Sequence, residues 1–154
     1  MQKEKRLARR GRILIADDEE SVLLSTADLL RIEGYECACA FDAKTAVHML
    51  RKKKYDLLIA DIKMQGNSDL QLIKKLPEIV GTMPVILVTG YPSLSSIVQS
   101  MRMPVVGYLI KPFEFSELLS MTQSTIAGKG IQLRAKHLSG VINAIANDFE
   151  QEMP

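Results

Sequence analysis

The stretch Leu57-Leu58-Ile59-Ala60-Asp61 constrains this chain more than any other: an unbroken apolar run that ends on one carboxylate. It follows Tyr55-Asp56 and precedes a loop of turn formers, Gly66, Asn67 and Ser68. A short run of this kind predicts a buried strand. In a parallel sheet the reactive edge lies at the carboxyl ends of the strands. Asp61 is therefore expected at that rim, held by a rigid strand and open to solvent on one side.

The same pattern recurs. Ile13-Leu14-Ile15-Ala16 runs into Asp17-Asp18, Val85-Ile86-Leu87-Val88 into Thr89-Gly90, and Val105 to Ile110 into Lys111-Pro112. Acids, a hydroxyl and an amine thus all fall at strand ends.

Helical patterns fill the intervals. Asp18 is the expected N-cap of a first helix, with Glu19 and Glu20 in its first turn and Val22, Leu23, Ala27, Leu29 and Leu30 at helical spacing before Gly34. Tyr35–Ala40 reads as the second strand. Asp42–Lys53 reads as the second helix, with Ala43, Ala46, Val47 and Leu50 on its apolar side and Arg51-Lys52-Lys53-Lys54 as a solvated end. Leu70, Leu72, Ile73 and Leu76 predict a short third helix ended by Pro77. Pro92 suits the first turn of a fourth, whose apolar side is Leu94, Ile97, Val98 and Met101. Phe113–Ile126 reads as the fifth, with Gly128 and Gly130 ending it. Strand and helix alternate throughout. The fold expected is α/β: a five-stranded parallel sheet, doubly wound in the flavodoxin-like manner, with the first strand central and an extra C-terminal helix.

Three segments follow from this reading: a basic flexible tail over 1–11, a globular domain over 12–127, and a helical extension over 128–154. In the extension Leu138, Val141, Ile142, Ile145 and Phe149 form an apolar stripe. That stripe must be buried, on its own domain, against a second copy, or as the start of a connector. The tail carries Lys3, Lys5, Arg6, Arg9 and Arg10 against Glu4 alone, with no aromatic between the charges, which argues against a nucleic-acid arm. A formal net charge of +2 implies no nucleic-acid surface either. No apolar run is long enough to cross a bilayer, and the N-terminus does not read as a secretory signal. Cys37 and Cys39 sit two apart in a strand, where a bridge between them is strained, so they read as small apolar filler. Reduced cysteines and no signal place the chain in the cytoplasm.

The paired carboxylates Asp17-Asp18, brought beside Asp61, make a cluster of like charges that is costly without a cation. Hard oxygen ligands at an open site suit Mg²⁺, which usually joins one or two carboxylates to a phosphoryl oxygen. With the metal in place Asp61 can attack phosphorus, as carboxylates that form aspartyl phosphates do. Mg²⁺, Lys111, and the Thr89 hydroxyl with nearby backbone N–H groups then partner the developing charge.

Asp17-Asp18, Asp61, Thr89-Gly90 and Lys111-Pro112, in this order and each at a strand end, resemble the receiver domain of two-component response regulators, over roughly Arg12 to Ala127. The resemblance implies the following roles. Asp61 takes a phosphoryl group from a sensor histidine kinase. Asp18 binds Mg²⁺ directly, with Asp61 and the backbone carbonyl of Lys63, while Asp17 acts through water. Lys111 pairs with the phosphoryl group, and its bond to Pro112 is cis. Thr89 moves toward the phosphoryl oxygen, and Tyr108, at the aromatic switch position, turns inward as it does. The added charge, about −1.5 to −2, biases a two-state surface made of the fourth strand, fourth helix, fifth strand and fifth helix, which a partner reads.

The chain departs from the family pattern at several points. Gln65 replaces the usual proline after Met64, and Ser68-Asp69 stands where Asp-Gly is common, so the loop beside the site is expected to differ, with Gly66 supplying its turn. Met103-Pro104 replaces Gly-Ala before the fifth strand. Lys63 and Tyr91 flank the site at positions that tune water access. Two further readings stand beside the switch. An aspartyl phosphotransferase or phosphatase usually needs a second acid two residues after the nucleophile, and that position is Lys63. A scaffold with an unphosphorylated site is the other. No output region of a known kind is read within this sequence, so either a stand-alone regulator or the front piece of a longer protein is expected; the output partner stays open, and the last helix suits a connector or a homodimer.

Overall fold

The structure is a computed structural model and describes residues 10–64, 66, 70–91, 93–100 and 103–152. Strands β1 (Arg12–Ala16), β2 (Glu36–Ala40), β3 (Leu57–Asp61), β4 (Val85–Thr89) and β5 (Val105–Ile110) alternate with helices α1 (Glu20–Ile32), α2 (Ala43–Lys52), α3 (Gln71–Val80), α4 (Leu94–Ser100) and α5 (Phe115–Ser124). The strands form one parallel sheet in the order β2-β1-β3-β4-β5. This is the expected doubly wound fold. β3, rather than β1, takes the middle position; β1 lies inside the sheet beside it. The strand order switches between β1 and β3, and that is where a parallel sheet opens a crevice.

The unbroken apolar runs have a direct cause. Every residue of β3 and β4 is buried, because helices cover both faces. Leu14, Leu58, Ala60 and Leu87 face a core closed by Ala46 and Leu50 of α2 and Leu72, Ile73 and Leu76 of α3. Ile13, Ile15, Leu57, Ile59 and Val88 face the other, closed by Leu23, Ala27 and Leu30 of α1 and Leu118 of α5. Cys37 and Cys39 are free thiols packed at the margin of the second core, and burial pushes the Cys37 thiol up to about 11. They are filler, as expected.

Several boundaries differ from the sequence reading. The N-cap of α1 is Glu19, not Asp18, because the Asp17 carboxylate accepts from the Glu19 N–H at 2.9 Å and fixes the turn one residue later. Asp42 caps α2 as expected, accepting from the Thr45 N–H at 2.7 Å. Pro77 lies inside α3 rather than ending it; the helix runs on to Val80, where Ile79 and Val80 pack partly against the core. Pro92 and Met101 lie outside the described residues, as do residues 1–9 of the basic tail and the side chain of Leu94. In α4 the buried positions are Ser96 and Ser100, while Val98 is 42% exposed and Ile97 only half-buried. Among the described side chains of this helix, the two serines are more deeply buried than Ile97 and Val98.

Beyond α5 the chain does not stop. The following residues, Thr125–Lys129, bend the chain at Gly128 (φ 84, ψ 13), and α6 runs from Gly130 to Glu152. Gly128 breaks the axis, since only glycine takes this left-handed backbone without cost. Gly130 begins a helix instead of ending one. Arg134 donates to the carbonyls of Met103 and Val105, tying the start of α6 to the start of β5. Of the stripe, Ile142 is exposed; the side chains of Leu138, Val141, Ile145 and Phe149 lie outside the described residues.

Candidate functional site

Asp17 follows directly on β1 and Asp61 ends β3, so the two neighbouring strands carry their carboxylates to the same point of the rim. Both side chains are nearly buried. Lys111 follows β5 and reaches across β4; its bond to Pro112 is cis. Its Nζ lies 2.8 Å from Asp17 Oδ2, 3.1 Å from Asp61 Oδ2 and 3.3 Å from Glu19 Oε1. Burial by itself would lower the Lys111 ammonium, but the hydrogen bonds it donates to Asp17 and Asp61 and their charges outweigh it and push it up. Lys111 is a fixed cation. Burial raises the Asp17 carboxyl, and the Asp61 charge adds to this against the hydrogen bonds from Lys111 and the Glu19 N–H.

The remaining oxygen of Asp61, Oδ1, accepts from the Lys63 N–H at 3.0 Å. Asp18 stands exposed on the far side, lining a cavity of about 550 Å³ with Lys63, Met64, Gly66 and Ser93. Gly66 takes φ 82 in the loop, as its expected turn requires; Gln65, Asn67, Ser68 and Asp69 lie outside the described residues. The carboxylates brought within 4.8 Å of one another are thus Asp17, Asp61 and Glu19. Sequence reasoning placed Glu19 only in a helical turn. Its spacing of two residues from Asp17, across a helix N-cap, was the signal that it returns to the same point.

Three carboxylates against one ammonium leave an excess of negative charge at a rim of hard oxygen donors. Such a donor set fits a hard divalent cation of the Mg²⁺ type and lacks the sulfur and imidazole that softer metals prefer. A cation there would also favour the ionised form of Asp17, which burial and the Asp61 charge disfavour.

Thr89 ends β4 fully buried, and its Oγ1 accepts from the Tyr91 N–H at 3.1 Å. Tyr108 lies in β5, half-buried, with its hydroxyl 3.0 Å from Ser96 Oγ of α4. Ser96 Oγ is in turn 3.0 Å from Ser93 Oγ. Burial raises the Tyr108 hydroxyl despite these bonds, so it is a neutral hydrogen-bonding group. Sequence reasoning found Tyr108 but not its serine partners; a cluster of Ser93, Ser95 and Ser96 inside a helical stripe was the available sign.

A family profile described as the response regulator receiver domain matches residues 13–123. The chain belongs to this family. Its receiver domain is similar to the regulatory protein AtoC of Escherichia coli strain K12, with 33% identity over 130 residues, which is 83% of this chain and 28% of that protein. The response regulator protein FleR of Pseudomonas aeruginosa is 28% identical over 119 residues, covering 77% of this chain and 25% of FleR. The chain thus spans about a quarter of the length of these relatives. Among solved structures, a CheY-like receiver domain protein from Methanospirillum hungatei matches with a TM-score of 0.73 and 30% identity, covering 79% of this chain and 97% of that one. TrrA of Thermotoga maritima, solved in complex with Mg(2+)-BeF, matches at a TM-score of 0.66 and 31% identity, over 74% and 97% of the two chains. The receiver is a signalling domain of two-component systems, and the acidic pocket of Asp17, Glu19 and Asp61 is typical of its phosphorylation site. Among the described residues no helix is long and apolar enough to cross a membrane.

Proposed function

We propose that this chain is a cytoplasmic, phosphorylation-controlled switch whose phosphoacceptor is Asp61, served by a sensor histidine kinase or a phosphotransfer protein. The observation that carries the reading is the convergence of Lys111 Nζ on Asp17 and Asp61 at 2.8 and 3.1 Å. An Asp61 oxygen attacks the donor's phosphorus; the new O–P bond forms as the N–P bond breaks, and its electron pair stays on the donor histidine. Lys111 and the Lys63 N–H then bind phosphoryl oxygens, and the Thr89 hydroxyl turns toward them, leaving the Tyr91 N–H. Tyr108 follows into the space Thr89 vacates, and the face of α4, β5 and α5 changes for a partner to read.

Asp18, Asp61 and the Lys63 carbonyl are the expected direct ligands of Mg²⁺, with Asp17 acting through water; Glu19 is the competing ligand, because it already stands with Asp17 and Asp61. When bound, the ion withdraws charge from the phosphoryl oxygens. Thermal stabilisation by Mg²⁺ sorts the two sets: loss in Asp18→Asn and retention in Glu19→Gln supports the expected one, and the reverse result replaces Asp18 by Glu19.

The domain acts by binding, not by turnover on small molecules, since Lys63 occupies the position a general acid would need. Residues 1–11, 12–127 and 128–154 then serve as tail, receiver and helical extension, the last a connector or a homodimer contact. The test is acetyl phosphate with Mg²⁺, followed by intact mass. A single phosphoryl adduct, absent in Asp61→Asn, is expected. Rapid multiple turnover would point to a phosphatase or phosphotransferase, and no adduct to a scaffold receiver.

A further inference from the structure

Among the described residues, the C-terminal helix is hydrogen-bonded to the sheet at the start of β5. β5 is the outermost strand, and at its start the Pro104 carbonyl turns inward to accept from the Val85 N–H at 3.0 Å. The carbonyls on either side, Met103 and Val105, both accept from Arg134 Nη1 of α6, the latter at 3.0 Å, and the Met103 carbonyl also accepts from the Val105 N–H at 2.7 Å. An arginine spends its donors best on fixed acceptors of this kind, because its planar fork is already organised. Just before it, a Cβ on Gly130 would lie 3.5 Å from Val106 Cγ1, so the backbone of α6 passes close over β5. Further along, Lys136, Ser139, Gly140, Ile142 and Asn143 are exposed. Among the described residues, α6 thus meets the sheet through its first turns, while its 23 residues span about 35 Å.

The acceptor loop is also the end of α4. The Met103 N–H donates to the Ser100 carbonyl at 3.2 Å, and Ser100 is the last residue of α4. Earlier in the same helix Ser96 holds the Tyr108 hydroxyl. One residue, Met103, therefore answers to α4 through its N–H and to α6 through its carbonyl. The bend that lets α6 reach this loop rests on Gly128, in a left-handed conformation with nothing within 4 Å of an added Cβ.

We infer that Arg134 is a latch that holds α6 on the edge of β5 across the Gly128 bend, and that displacement of α4 opens it. The closed latch covers the start of an edge strand, the part of a sheet most prone to pair with another chain. An open latch frees α6 to continue the line of α5. The device rests on the phosphorylation reading for its trigger, but not for its parts.

The test is backbone hydrogen exchange over residues 129–140 of the full chain, read by mass spectrometry. Exchange reports the population of locally opened states. Arg134→Ala and Gly128→Ala are each expected to speed it about tenfold, the second by backbone strain alone, while Lys136→Ala leaves it unchanged. Mg²⁺ with beryllofluoride should speed it in the wild type and add nothing in Arg134→Ala, with Asp61→Asn as the control. Wild-type exchange in Arg134→Ala would overturn the latch. A rise in thermal midpoint with beryllofluoride but unaltered exchange would overturn its link to α4. An unmoved midpoint would count against the phosphorylation reading instead, and the two variants would still decide the latch.

Discussion

β3 and α4 are built on opposite terms. β3 is apolar up to its last residue and wholly buried between two layers of helices, and it delivers that residue, Asp61, to a fixed point 3.1 Å from Lys111. α4 turns Ser96 and Ser100 inward and leaves Val98 half in water. Burying a leucine-sized apolar side chain is worth about 1.5–3 kcal/mol, and a serine contributes little of this kind. The contrast separates two requirements of a switch. Chemistry needs groups held to a fraction of an ångström, so it sits on the most deeply packed strand. A response needs an element that can move at small cost, and on the proposed reading it falls to a helix whose buried side chains, among those described, are hydroxyls.

The largest effect expected from this contrast is on stability. Ile59→Ala in β3 removes a side chain that is 3% exposed and should cost about 3 kcal/mol in denaturant unfolding. Ser100→Ala in α4, no less buried, removes only a hydroxyl that donates to the Ile97 carbonyl of its own helix. Its cost should stay within about 0.5 kcal/mol. Equal costs at the two sites would break the comparison.

A smaller effect, of opposite sign, is expected at the rim. Because the folded-state value of Asp17 lies above its ordinary 3.8, the fold favours its protonated form. Whatever this group contributes is complete below 3.8 and is lost as the pH rises through the raised value, so ionised Asp17 weighs against the fold near neutrality. Asp17→Asn should therefore stabilise the metal-free protein by about 1 kcal/mol at neutral pH, with the gain vanishing in acid. Lys111 does not mask this: its raised value leaves its contribution complete below its ordinary 10.5. Mg²⁺ should narrow the gap between variant and wild type. A destabilised Asp17→Asn at neutral pH would mean that the ion pair with Lys111 outweighs burial.

Burial on both faces made the strands legible, because it leaves an unbroken apolar run in the sequence, and with the strands came their ends: Asp17, Asp61, Thr89 and Lys111. What was not legible depends on how a side chain or an axis turns in three dimensions. Glu19 joins the acids because α1 starts one residue later than its acidic pattern implied. Pro77 was read as a stop, yet packing of Ile79 and Val80 carries α3 past it. Gly128 and Gly130 looked alike in the sequence, but one bends the chain and the other opens α6. The serines of α4 are not legible because periodicity marks apolar residues, and the buried positions described in this helix are polar.

The smallest effect expected lies where the rigid and mobile parts meet. Lys63 and Tyr91 each stand two residues beyond a site residue, and each backbone N–H is bound to that residue's side chain, Asp61 Oδ1 and Thr89 Oγ1. Their own side chains meet above the site, Lys63 Nζ lying 5.0 Å from the centre of the Tyr91 ring. A cation over an exposed ring is worth about 0.5–1 kcal/mol, which corresponds to roughly a threefold change in how often the pair stands open. If water reaches the acyl phosphate through that opening, Lys63→Ala and Tyr91→Ala should each shorten its lifetime by about threefold. The double variant should do no more than either single one, because the pair closes only as a unit. Phosphoryl loss followed by intact mass reads this directly. Unchanged lifetimes would leave Thr89 and Lys111 as the groups that shield the phosphoryl group, and the boundary between fixed and moving parts would then run inside the site rather than across its mouth.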